Sequence, residues 1–233
     1  MTARRLHRAR RRWLKRRLAR AARTRIWLAV ECGLLFVGLP SALWLGRVLG
    51  LRLPIVPTLL VVTGAIGLRL ARDPYFDRRV LRAWRGLRIE GRRILTTFAL
   101  LASLLTLLVA GLTPERLFDM PRQQTTLWAG LMVFYPLFSV FPQELIYRAF
   151  FFHRYRTLFA NRRLTLLASS LAFGFVHVLY GAWISVALTT VGGLLFGFTY
   201  LRTRSILLVG FEHALYGCFM FSVGLGHFFY RAF

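Results

Sequence analysis

Apolar positions along this chain come in long blocks separated by short, arginine-rich connections. Seven stretches, at 26–45, 53–70, 94–113, 127–152, 164–182, 183–201 and 205–225, are apolar almost throughout. Each approaches the roughly 17–25 residues that a helix needs to cross a hydrocarbon core. They predict an all-α, polytopic transmembrane bundle of about seven to eight spans, the eighth being a short or re-entrant segment within 221–233. Pro54 and Pro57 fall at the start of the second span, where a missing N–H is harmless. No internal repeat is evident, which argues against a secondary transporter built from inverted halves.

Charge sharpens this picture. The 233 residues are 57% hydrophobic yet carry 33 basic against 8 acidic side chains, a net charge of +25. A soluble domain does not reconcile these facts; a membrane protein with basic loops on one side does. Residues 1–25 hold twelve basic side chains and no acidic one, 71–93 holds eight arginines, and Arg154, Arg156, Arg162, Arg163, Arg202 and Arg204 follow at later loops. The other loops are poor in charge or balanced, so the N-terminus is expected in the cytoplasm. The chain divides into a basic arm (1–25), N-terminal transmembrane helices (26–113) with the basic cytoplasmic loop 71–93, and a core at 125–225. The arm is expected to lie on anionic lipid headgroups through residues 4–25, each basic side chain contributing roughly 1 kcal/mol. Nucleic acid is the lesser candidate, since no soluble segment with its own core remains to carry the charge. No small-residue cleavage site follows the first apolar run, so no signal peptide is expected. Lys15 is the only lysine, an arginine bias that suggests a GC-rich bacterial genome and hence a bacterial inner membrane. Cys32 and Cys218 both lie in apolar runs and are expected as packing residues without a disulfide.

Ionisable groups within spans are few, and each is costly enough, about 2.5–3.5 kcal/mol at mid-membrane, to mark a candidate site. They are Glu31, Glu144, Arg148, His177, Glu212 and His213. Glu144 and Arg148 are four residues apart, on one helix face, where they can pair. Counting at 1.5 Å per residue from the cytoplasmic ends of their spans, Glu144 lies roughly 13 Å deep, His213 roughly 12 Å and His177 roughly 20 Å. Three groups from three helices are thus expected to converge on one cytoplasm-side cavity. They can support hydrolysis in two ways: zinc held by His177, His213 and Glu144, lowering the pKa of bound water, or Glu144 as base on water with a histidine donating to the oxyanion. Glu212, adjacent to His213, points about 100° away and is expected to support the site or add a ligand. Glu31 is expected to be a packing or interface residue.

The set Gln143-Glu144-Leu145-Ile146-Tyr147-Arg148, Phe173-Gly174-Phe175-Val176-His177, and His213 through Gly217 resembles the CPBP intramembrane proteases. That group contains the type II CAAX prenyl endopeptidases and bacterial bacteriocin-processing or immunity proteins. The resemblance covers roughly 125–225 and implies an intramembrane peptidase fold of about eight helices. It also implies a membrane-associated peptide or protein substrate and zinc-assisted or glutamate-based hydrolysis. Two positions depart from the family pattern: Gln143 stands where a second glutamate is usual, and Gly217 where Asn or Asp follows the late histidine. An amide is neither a base nor a carboxylate ligand, so the resemblance leaves Glu144 or Glu212 to act. The leading expectation is an intramembrane endopeptidase using Glu144, Arg148, His177, His213 and Glu212. The alternatives are a non-catalytic scaffold or binding protein of the same fold, and a proton-coupled transporter. Gly192, Gly193 and Gly197, with Thr189 and Thr190, are expected to let the sixth span pack closely on its neighbours.

Overall fold

The computed structural model describes residues 23–51, 54–84 and 86–230, without the side chain of Tyr230. The basic arm up to residue 22, with its expected lipid contacts, lies outside these residues. Among the described residues the chain is helical, with no strand. Seven helices are long and apolar enough to cross a membrane: α1 (Arg23–Val48), α2 (Ile55–Arg72), α3 (Leu87–Leu112), α4 (Thr125–Arg154), α5 (Arg162–Tyr180), α6 (Trp183–Thr203) and α7 (Ile206–Val223). The segment expected to form an eighth span contributes a one-turn helix, His227–Tyr230. At 1.5 Å per residue this is far too short to cross.

The helix ends follow local chemistry. Asn161 caps α5 and Ser205 caps α7, each side-chain oxygen accepting an N–H three residues on. The last turn of α5 tightens into a 3-10 turn, His177–Tyr180, which Gly181 ends in the left-handed conformation (φ 73°). The main departure from the expected spans is α3, which starts at Leu87 rather than near 94. Its first turns carry Glu90 and Arg93, and those charges pair with each other at 2.7 Å while Glu90 also holds Arg202. Neutralised in this way, residues that read as loop enter the helix.

Helix α4 is irregular. Two wide, π-type turns interrupt it, Pro136–Val140 and Leu145–Phe150. Pro136 and Pro142 remove two backbone donors, and wide turns let the helix continue past such gaps.

Helices α5, α6 and α7 form the inner layer: 44% of the apolar window of α7 is buried against 11% of that of α2, α3 or α4. Lipid tails are as apolar as leucine, so helices associate in membranes through close packing rather than hydrophobic drive. The α5–α6 contact shows how. A Cβ added at Gly174 would overlap Thr190 Oγ1, one at Gly197 would overlap Leu166, and one at Gly193 would come within 3.1 Å of Ser170 Cα. The two backbones can approach because these positions are bare. Gly192, expected in the same seam, instead faces Phe196 and a cavity.

Ion pairs join the helix ends. Glu31 of α1 receives Arg154 through two hydrogen bonds of 2.9 and 2.7 Å, Tyr155 Oη at 3.2 Å, and lies 3.7 Å from Arg69 of α2. It is therefore an interface residue, an ionic clasp between α1, α2 and α4. Asp73, just past α2, hydrogen-bonds His153 at 2.8 Å. That bond, with the backbone N–H of Tyr75, holds its carboxyl below the usual carboxylate range.

Candidate functional site

The site is built outward from α4. Glu144 and Arg148 are completely buried. Arg148 Nε lies 3.2 Å from Glu144 Oε2, close enough for an ion pair although the N–H is not well aimed at the oxygen. The rest of the guanidinium is used on other helices. Nη1 donates to Ser169 Oγ on α5 at 2.9 Å, Nη2 donates to the Gly193 carbonyl on α6 at 3.3 Å, and the plane lies over the Phe173 ring at 5.2 Å. Ser169 in turn donates to the Tyr147 carbonyl at 2.7 Å. The close α5–α6 seam is what brings the Gly193 carbonyl within reach. A buried charge of this kind is tolerable only when paired and hydrogen-bonded, and Arg148 meets both conditions while tying three helices together.

The other oxygen of the carboxylate crosses to α7. Glu144 Oε1 lies 2.7 Å from His213 Nδ1. A carboxylate only accepts, so Nδ1 carries the proton and the neutral imidazole presents the lone pair of Nε2. The ring is held by stacking on Phe196 (centroids 4.6 Å, 18°) and by the edge of Phe173 (5.4 Å). At Nε2, 3.2 Å away, is the hydroxyl of Tyr135. His177 is held by a similar arrangement: its Nδ1 donates to the Phe173 carbonyl at 2.7 Å, leaving Nε2 as the acceptor.

Both histidines line a cavity of about 490 Å³ among α3, α4, α5, α6 and α7, whose walls are mostly apolar. Tyr135, Gln143, Tyr216 and Gly217 are also on its walls, whereas Glu144 and Arg148 are not. His213 therefore stands between the carboxylate and the open space. A second cavity, about 110 Å³, opens on the α1–α2 side and shares Gln143, His177 and Tyr180 with the first. Gln143 donates from Nε2 to Ser139 Oγ at 2.7 Å, while its Oε1 is buried without a partner.

Of the five residues that the sequence nominates, the structure gathers Glu144, Arg148 and His213 into one hydrogen-bonded chain and puts His177 on the wall of the same cavity. Glu212 is turned away. Its carboxylate receives Thr199 Oγ1 at 2.5 Å and Arg93 at 3.4 Å, in a separate buried cluster with Glu90 and Arg202. As to zinc, no group of three or more His, Cys, Asp or Glu side chains is placed to hold a metal ion among the described residues. Two imidazole lone pairs face the cavity, but Glu144 is engaged by His213 and Arg148. The donor set falls short of the three protein ligands that catalytic zinc sites keep. Tyr135 was not among the candidates. An uncharged phenol in an apolar run carries no signal by itself; the sign in the sequence was Gly217, standing where the family pattern has Asn or Asp.

A family model described as type II CAAX prenyl endopeptidase Rce1-like matches residues 124–219. The matched segment contains Tyr135, Glu144, Arg148, His177 and His213, and it supports the resemblance to the CPBP proteases. No curated protein and no solved structure gives a significant match to the chain.

Proposed function

We propose that this chain is an intramembrane endopeptidase that hydrolyses a membrane-associated peptide or protein, with His213 as the general base and Glu144 as its orienting carboxylate. The observation that carries this is the 2.7 Å bond from His213 Nδ1 to a fully buried Glu144, with Nε2 directed to the cavity. A carboxylate behind an imidazole sets the tautomer and stabilises the imidazolium that forms, the logic of serine-protease triads applied here to water. Glu144 in this reading never meets water itself.

The steps follow from the two tautomers. Water in the cavity donates one O–H to His213 Nε2, with the His177 imidazole on the wall of the same cavity. Its oxygen bonds to the peptide carbonyl carbon as its proton passes to His213, and the carbonyl becomes an oxyanion. When the C–N bond breaks, His213 returns the proton to the leaving amine, and the products are a carboxylic acid and an amine. Arg148, 3.2 Å from its other oxygen, holds Glu144 in place throughout. The donor set of two imidazoles without a free carboxylate does not suit zinc. The apolar walls suit a substrate that arrives from the bilayer. By the positive-inside rule the basic arm and loops belong in the cytoplasm, and the arginine bias favours a bacterial inner membrane.

The test is cleavage of a library of membrane-anchored reporter peptides by purified protein in lipid vesicles. General acid–base catalysis contributes about 10²–10⁴-fold, so Glu144→Gln and His213→Ala should each lower the rate by that order, and a chelator should leave it unchanged. Wild-type rates in both variants would falsify the proposal; absence of cleavage in every preparation would favour the non-catalytic binding protein.

A further inference from the structure

The site as built from Glu144, Arg148, His177 and His213 has bases but lacks a donor for the developing oxyanion. Both neutral imidazoles present lone pairs to the cavity, because each Nδ1 proton is committed elsewhere, to Glu144 and to the Phe173 carbonyl. The Arg148 guanidinium is spent on Glu144, Ser169 and the Gly193 carbonyl and is not on the cavity wall. One hydroxyl is in contact with the base itself: Tyr135 Oη, 3.2 Å from His213 Nε2 and on the wall of the 490 Å³ cavity.

The place that Tyr135 occupies is set by a missing side chain. Gly217 lies one helical turn after His213, and a Cβ added there would overlap Tyr135 Oη and Cε1 and stand 2.6 Å from Cζ. Position 217 and the phenol thus compete for one space beside the imidazole. Edge contact with Phe221 at 5.2 Å holds the phenol ring in it. Helix α4 makes this approach possible: residues nine apart, as Tyr135 and Glu144 are, sit about 180° apart on a regular α-helix. The wide turn Pro136–Val140 removes part of that rotation, so one helix reaches both nitrogens of the same histidine.

We infer that Tyr135 is a catalytic residue of this site, the oxyanion donor that takes the position left open by Gly217. In the resting site its O–H donates to His213 Nε2. When water and substrate bind, the water takes over Nε2 and the O–H turns to the carbonyl oxygen, whose carbon must lie next to that water. The hydrogen bond strengthens as negative charge develops, and no bond to Tyr135 is made or broken. This assignment rests on the peptidase reading.

The experiment is a set of variants, Tyr135→Phe, Tyr135→Ala, Gly217→Asn and the double Tyr135→Ala/Gly217→Asn, purified in lipid beside wild type and His213→Ala. Removing one oxyanion donor lowers kcat by about 10²–10³-fold. Tyr135→Phe should do so with KM changed less than about threefold, a split that loss of packing would not give. Gly217→Asn alone should melt lower, because it collides with the phenol. The double variant, with an amide donor in the vacated space, should regain melting temperature and at least about tenfold of the activity lost in Tyr135→Ala. Spectra of 15N-histidine protein supply a readout without turnover: the His213 Nε2 resonance should move in Tyr135→Phe as its hydrogen bond is lost. Tyr135→Phe at wild-type kcat, while His213→Ala is inactive, overturns the inference and leaves the peptidase standing. An unmoved Nε2 resonance overturns it as well. Absence of cleavage by wild type overturns the peptidase reading and the oxyanion role with it.

Discussion

Replacing Arg148 with Met tests the electrostatic logic of the site without any need for a substrate. The substitution keeps most of the apolar stem but removes the guanidinium from a position with no solvent exposure, beside an equally unexposed Glu144. Lost together are the ion pair at 3.2 Å, the bond to Ser169 at 2.9 Å, the bond to the Gly193 carbonyl at 3.3 Å and the contact over the Phe173 ring at 5.2 Å. Removing one member of a buried pair destabilises by about 3–5 kcal/mol, chiefly because the remaining charge is left without compensation. If that is the dominant cost, neutralising the carboxylate should recover much of it. Arg148→Met/Glu144→Gln should then be more stable than Arg148→Met by at least about 2 kcal/mol, as expected of coupled neighbours. Reversible unfolding in mixed micelles of the four proteins in this cycle gives the coupling energy directly. Additivity within about 0.5 kcal/mol, or an Arg148→Met protein as stable as wild type, would refute the reasoning, since neither is compatible with a buried, mutually dependent pair.

Other outcomes follow from the same packing. Glu212→Gln should keep cleavage within about threefold of wild type, because this carboxylate is bonded to Thr199 and Arg93 and not to the cavity; a loss as large as that of Glu144→Gln in the vesicle assay would contradict its placement. Gly193→Leu should destabilise by about 1–3 kcal/mol as an overpacked contact, given a Cβ already 3.1 Å from Ser170 Cα, and unfolding of the purified protein should detect it. The Asp73 carboxyl, held low by His153, contributes stability at pH values above the ordinary aspartate range that is lost as pH falls through its lowered value. In Asp73→Asn that acid-side step should disappear from a plot of melting temperature against pH.

Much of this architecture is legible along the chain because hydropathy is a local property. Seven spans could be placed to within a few residues in most cases, since a run of apolar side chains reports its own environment regardless of partners. The exception is α3, where Glu90 and Arg93 read as loop because their distant partners, Arg202 for Glu90 and Glu212 for Arg93, are 112 and 119 residues away. The Glu144–Arg148 pair was also visible, being a relation of four residues on one helix. His177 and His213 stood out as polar groups in apolar runs, although what faces them did not.

What only the tertiary structure decided is rotation and depth. Glu212 and His213 are neighbours in sequence, yet the histidine turns to Glu144 and the glutamate to Thr199, because α7 is packed between helices that offer different partners on different sides. No periodicity can say which of two adjacent residues faces a cavity when all sides of a helix are apolar. Proposing His213 rather than Glu144 as the base has the same origin: a carboxylate and an imidazole contribute the same chemistry in either order until their burial is known. Tyr135 depends on the wide turn in α4, on the bare position at Gly217 and on the ring of His213, three features separated by up to 81 residues in the chain. The chain by itself determined that polar groups would be carried into the membrane; the packing of α4 through α7 determined which of them meet, because hydrogen bonds across helices depend on ångström-scale distances that sequence spacing does not contain.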